Sequence, residues 1–190
     1  MSDEATLDEF TNDESDMDEE FVETAAGRLP AEWDTKNVEE LCALRNGKAT
    51  NHADIGEHQF LVYGSNGPIG SYSESNFEGG LIFGRVGAVG QVERVRKPVW
   101  VSDNAIQASV TDKCNTDFLY YYLSNKELSS LATKTAQPLL NQSTIGNVTV
   151  PSPPLPEQRK IATVLYTVDR AIEKTEEIIS LFRAIRLNSS

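Results

Sequence analysis

The chain has 190 residues, 39% of them apolar and 8% aromatic, and a formal net charge of −12. That length suits one domain with an appendage better than two full domains. No apolar run approaches the ~18 residues that span a bilayer, and the acidic start lacks the basic and apolar stretches of a signal peptide, so the expectation is a cytoplasmic protein with no membrane partner.

The charge is unevenly placed. Residues 1–28 hold 11 of the 29 acidic residues and one of the 17 basic ones, which leaves 18 acidic and 16 basic residues, a net of −2, for the rest. The segment "MSDEATLDEFTNDESDMDEEFVETAAG" has too little apolar surface to offset the entropy of ordering, which predicts a disordered acidic tail over 1–28. The body is not basic, which argues against strong non-specific nucleic-acid binding and leaves room for a local basic face.

"LPAEWDTKNVEEL" opens the body, with Trp33, Val38 and Leu41 as apolar anchors. "FLVYG" (60–64) and "LIFGRVG" (81–87) are short apolar runs bounded by glycine, as in buried strands. Between them "GSNGPIGSY" has turn chemistry, since Gly and Asn accept positive φ and Pro68 sets a bend. "VGQVERV", "PVWVS" and "AIQASV" read as further strands. "NTDFLYYYLSN" reads as a helix capped by Asn115 or Thr116, with Phe118, Leu119, Tyr122 and Leu123 on one face. "KELSSLATKT" suggests a second short helix and "IGNVTVP" a last strand. Residues 29–150 are therefore expected to form a compact α/β or α+β domain with many short strands.

Four prolines, Pro151, Pro153, Pro154 and Pro156, then run into a periodic segment. Ile161, Leu165, Val168, Ile172, Thr175, Ile179 and Phe182 are spaced alternately by four and three, the a/d seam of a coiled coil with one polar position. Pro156 suits the first helical turn and Glu157 the positive end of the helix dipole. A helix over 156–188 would be roughly 48 Å long, more than a small head can cover, so the seam calls for a partner helix. Residues 151–155 are expected to be a stiff, extended joint between head and helix.

Enzymatic patterns are weak. "GRVGAVG" is not G-x-G-x-x-G, and the strand-like "QVERV" follows it instead of a helix. No phosphate-binding G-x-x-x-x-G-K-[ST] loop occurs. His52 and His58, near Asp54 and Glu57, fit no usual zinc spacing. Cys42 and Cys114 stand at no metal or redox spacing and read as free thiols. "DTK" (34–36) is too short to indicate a nuclease core. The reading is a non-enzyme with no metal and no cofactor.

In order along the chain, "LPAEW" (29–33), "GSNGPIG" (64–70), "GRVGAVG" (84–90), "WVSDNAI" (100–106), "FLYYYLSN" (118–125) and "QPLLNQSTIGNVTVPSPPLPEQRKIA" (137–162) resemble the specificity (S) subunit of type I restriction–modification enzymes. The resemblance covers about 160 residues, and its order and last stretch carry the weight. It implies a target recognition domain followed by a long coiled-coil helix, with no catalytic site. It also implies double-stranded DNA, methyltransferase subunits and motor–nuclease subunits as partners. Complete subunits of the family hold two heads on an antiparallel helix pair, each head reading half of a split site. This chain shows one head and one helix and no internal repeat, which is the pattern of a half-subunit that self-associates or pairs with a second half.

Base edges are read by side chains that combine donors and acceptors, and phosphates by Lys, Ser, Thr and backbone N–H groups. Two segments have that chemistry. "YGSNGPIGSY" offers Tyr63, Ser65, Asn66 and Tyr72, and "KTAQPLLNQST" offers Lys134, Thr135, Gln137, Asn141, Gln142 and Ser143. Arg85, Arg94, Arg96 and Lys97 add positive charge between them. A different class of function fits the same chain: a protein-interaction module, or a truncated remnant, acting through the heptad helix and reading no DNA.

Overall fold

A computed structural model describes residues 20–50 and 59–187, with side chains to residue 183. Strands β1 (Phe21–Thr24) and β2 (Gly27–Pro30) form an antiparallel hairpin. The Thr24 hydroxyl donates to Gly27 O at 2.7 Å and accepts from Ala26 N at 3.1 Å, closing the turn. Ala26 and Leu29 are buried, and the Tyr122 hydroxyl donates to Ala26 O at 3.1 Å. The acidic tail expected over 1–28 therefore ends earlier: residues 21–28 are ordered, because turn chemistry and two buried side chains outweigh a charge count. The remainder of that tail, residues 1–19, lies outside the described residues, as do His52 and His58.

β3 (Asp34–Asn37), the short α1 (Val38–Leu41) and β4 (Cys42–Asn46) follow. Asn37 and Glu40 form a reciprocal capping box at the start of α1. Val38 and Leu41 are fully buried as expected, whereas Trp33 is only half-buried.

β5 (Phe60–Gly64) and β6 (Gly67–Tyr72) make a hairpin. β7 (Gly80–Gly84), β8 (Val92–Val95), β9 (Trp100–Val101) and β10 (Ala105–Val110) complete two sheets. The central sheet has the order β4-β10-β7-β8, all antiparallel, and the smaller one β6-β5-β9, with β9 parallel to β5. β7 is buried along its whole length, so both of its faces need apolar residues. Leu81 and Phe83 face the larger core and Ile82 the smaller.

The larger core fills the space between the central sheet and α2 (Thr116–Ser124), which presents Phe118, Leu119 and Leu123. The Asn115 side chain caps α2 by accepting from Phe118 N at 2.9 Å. "KELSSLATKT" forms a single 3-10 turn, Leu128–Leu131, in place of the expected helix. α3 (Gln142–Gly146) inserts Ile145 into the core, and β11 (Thr149–Ser152) pairs with β3.

The proline segment is docked on the head. Pro151 lies inside β11, and Pro151 and Pro153 are buried. α4 (Leu155–Leu187) starts one residue before the expected position. On its first turn Gln158, 1% exposed, donates to Pro153 O and accepts from Asn115 N, both at 2.8 Å. The expected spacer is thus a packed joint, stiff because it is hydrogen-bonded to the head on both sides. Ala162 is buried, and every residue from Thr163 to Arg183 is exposed. At 33 residues α4 is roughly 50 Å long.

Candidate nucleic-acid interface

One end of the head gathers four segments that are distant in sequence. The β5–β6 turn carries Ser65 and the exposed Asn66, and it packs on the glycine-rich loop after β7. A Cβ on Gly84 would stand 2.5 Å from Ser65 O and 2.1 Å from Ala88 O, so only glycine admits this approach. Arg85 ties the loop to the β9–β10 turn: its Nη1 donates to Asp103 O at 3.1 Å and its backbone N–H to Asn104 O at 2.9 Å. Its Nε is buried and has no hydrogen-bond partner among the described residues.

The fourth segment, residues 133–140, joins through Leu140 N, which donates to Arg85 O at 3.0 Å, and through a bridge between Val86 and Leu139. Thr133 and Leu139 close the loop with two hydrogen bonds, and the Thr135 hydroxyl donates to Gln137 O at 2.8 Å. Lys134, Thr135 and Gln137 are exposed on it. Between this loop and the glycine-rich one lies a groove of about 460 Å³, lined by Val86, Gly87, Val89, Ser129, Ala136 and Gln137 among others.

Tyr63 is half-buried just before the turn, and burial followed by the nearby Glu93 carboxylate pushes its phenol above the ordinary range. Glu93 on β8 is raised too, by burial. With Ser65, Asn66, Arg85, Lys134, Thr135 and Gln137, these residues put polar, cationic and close-approach backbone groups side by side. That chemistry suits a nucleic-acid edge.

The other candidates have internal duties. Tyr72 sits at the far end of β6 and packs edge-on against Trp100, ring centroids 4.7 Å apart. Asn141 caps α3, accepting from Thr144 N at 2.8 Å and its hydroxyl at 3.0 Å. Gln142 is half-buried, and in the amide orientation that satisfies its neighbours it donates to Leu44 O and accepts from Asn46 N at 3.1 and 3.0 Å. Ser143 is exposed beside it in the first turn of α3.

Arg94 and Arg96 do not supply free charge to this end. Both bind Asp117, at 2.9 and 3.0 Å, and their guanidinium groups lie over Tyr120 and Tyr166 respectively. Since Tyr166 belongs to α4, this cluster braces the helix against the head. Lys97 is exposed. Sequence reasoning overlooked Glu93, Asp103 and Asn104: "PVWVS" and "AIQASV" read as strands, but nothing in them signals which segments the residues between them meet.

The seam residues emerge as a stripe. Ile161 is half-buried against the head. Leu165 is 38% exposed, Val168 50%, Ile172 51%, Ile179 44% and Phe182 68%. Exposed Thr175 bonds its hydroxyl to Ala171 O at 2.8 Å, so the one polar seam position is satisfied within the helix.

Cys42 and Cys114 are buried free thiols, and burial pushes them up to about 12 and about 11. Among the described residues no group of His, Cys, Asp or Glu is arranged to hold a metal ion, and no helix is long and apolar enough to cross a membrane.

The chain is similar to known proteins over most of its length. It is 26% identical over 162 residues to the EcoprrI type I restriction enzyme specificity subunit of Escherichia coli, covering 82% of this chain and 40% of that one. It is 23% identical over 195 residues to the MjaIX specificity subunit of Methanocaldococcus jannaschii, covering 88% and 45%. The chain therefore spans less than half the length of these curated relatives. Its fold is similar to that of an S subunit from M. genitalium, with a TM-score of 0.67 at 21% identity over 80% of this chain and 42% of that one. The HsdS subunit from Thermoanaerobacter tengcongensis gives 0.60 at 20% identity over 77% and 39%. The type I restriction modification DNA specificity domain matches residues 30–181, which takes in the head, the docked prolines and most of α4. With its many short strands and long C-terminal helix, this chain belongs to the family of type I restriction modification DNA specificity domains.

Proposed function

We propose that this chain is the DNA-reading half of a type I specificity subunit. It has no catalytic role and directs methyltransferase and motor–nuclease subunits to a split site on double-stranded DNA. The observation that carries the reading is the division of the molecule. One end of the head gathers Ser65, Asn66, Arg85, Lys134 and Gln137 on close-packed loops, and away from the core α4 carries a long uncovered apolar seam. The first suits base edges and phosphates, the second a protein partner.

The seam also supports self-association. About Ile172 it is nearly self-complementary for an antiparallel partner: Val168 would meet Thr175, Leu165 would meet Ile179 and Ile161 would meet Phe182. A two-fold dimer then satisfies every position without a second kind of chain. Methylation profiling of a host with and without this gene tests the proposal. Loss of one bipartite motif on deletion is the expected outcome, and an unchanged methylome rejects it.

A further inference from the structure

We infer that Glu93 is a specificity-determining residue whose carboxylate accepts a hydrogen bond from the exocyclic amino group of a cytosine in the recognised site. The inference rests on the DNA-reading role proposed above and assigns one residue a chemical task within it. Glu93 lies on β8, opposite Ile82 of β7, on the face that carries the smaller core. There it reaches under the β5–β6 turn, and a Cβ on Gly67 would stand 3.7 Å from its Oε1. Gly67 has φ +88°, so a side chain is disfavoured at the position that would shield the carboxylate.

Among the described residues this carboxylate has no partner, neither a hydrogen bond nor an ion pair. The cations next to it in sequence, Arg94 and Arg96, are committed to Asp117. Its neighbour Tyr63 is held in the neutral form by the same burial. A half-buried, unpaired carboxylate is a burden to the fold, and on a surface approached by phosphates it is repelled. Both disadvantages are reversed by one kind of group, a hydrogen-bond donor on a base. Cytosine presents its N4 amino group alone on its major-groove edge, whereas adenine sets the N7 acceptor beside its amino group, where a carboxylate is repelled.

The test is Glu93→Gln in the full chain, co-expressed with its methyltransferase subunits, with methylation profiling and a melting curve at neutral pH. The amide is isosteric and can pair with both N6 and N7 of adenine. The expected result is a wild-type half-site containing cytosine at one position. There the variant loses on the order of tenfold in discrimination and admits adenine, with the other positions unchanged. Its melting temperature should equal or exceed that of the wild type. Glu93→Ala should relax the same position without favouring adenine. An identical motif for the wild type and Glu93→Gln overturns this inference and leaves the DNA-reading role standing. So does a variant that melts lower and loses methylation at every position alike, which marks Glu93 as structural. A wild-type complex that marks no motif overturns the DNA-reading role, and this inference with it.

Discussion

Gln158 is one of the residues that fasten the helix to the head. Its amide satisfies one buried carbonyl and one part-buried N–H on two different segments, Pro153 and Asn115. Gln158→Leu keeps the volume and orphans both groups, at about 1–3 kcal/mol for each. The expected outcome is a melting temperature several degrees lower, read by calorimetry. Glu93 should behave in the opposite sense. Its carboxyl is raised above the unfolded value by burial, with the Tyr63 phenol of β5 the titratable group beside it. The folded state therefore holds this proton more tightly. The resulting stability is present in acid and is lost as pH rises through the folded-state value. The advantage of Glu93→Gln should consequently be largest at neutral pH and fade towards the acid limb, where the wild-type side chain is itself neutral. Melting curves across that range check the sign. Neither role is visible in sequence: a glutamine after a proline run and a glutamate in "QVERV" both look like solvated surface until their neighbours are known.

Among the elements, the long helix was the most legible, because apolar positions at alternating steps of four and three keep to one face of a helix and to neither face of a strand. Ile172→Asp places an unpaired charge in the middle of the seam, at a cost of a few kcal/mol to any helix pairing there. The head should remain folded while light scattering reports a fall in mass; an unchanged mass shows that the seam is not the interface. The strands were legible where glycines bounded apolar runs, as at "LIFG". The hairpin over 21–30 was not, since it directly follows the acidic run and its order comes from the Thr24 turn and a distant Tyr122. The loop "NQST" was half legible. It holds the expected amides, but Asn141 caps α3 and Gln142 fastens α3 to β4. Gln142→Ala should therefore cost about 1 kcal/mol of stability, from the lost hydrogen bonds to the Asn46 N–H and the Leu44 carbonyl, before it alters any motif. Chemical denaturation checks this, and the exposed Gln137 is the better amide for changing what is read.

For the whole molecule, the candidate interface could be listed in residue types but not assembled from sequence. The segments of Ser65, Arg85 and Lys134 meet through Gly84 and through the Leu140–Arg85 hydrogen bond, contacts between residues 19 and 55 positions apart (84 − 65 and 140 − 85). Lys134 is exposed on its loop, which suits a phosphate. Lys134→Ala should weaken binding to all sequences alike and reduce the slope of log affinity against log salt by about 1. Fluorescence anisotropy with the assembled complex at several salt concentrations measures it. A change confined to one base position would assign Lys134 to base reading instead.

The docked prolines have a consequence for how such a molecule meets its target. A flexible joint would let two heads search for their half-sites separately and lose that freedom on binding. Here Pro151 is paired into a strand, Gln158 bridges the joint and Tyr166 lies against Arg96, so the candidate interface is tied to the seam through packed contacts. A pair of such chains would present its two reading ends at a preset separation and twist before any DNA arrives, sparing the ordering entropy of association. The compliance must then come from the duplex. Where the distance between half-sites does not match the protein, the DNA between them has to bend or twist. Base pairs that no side chain touches would then enter the recognition through their stiffness.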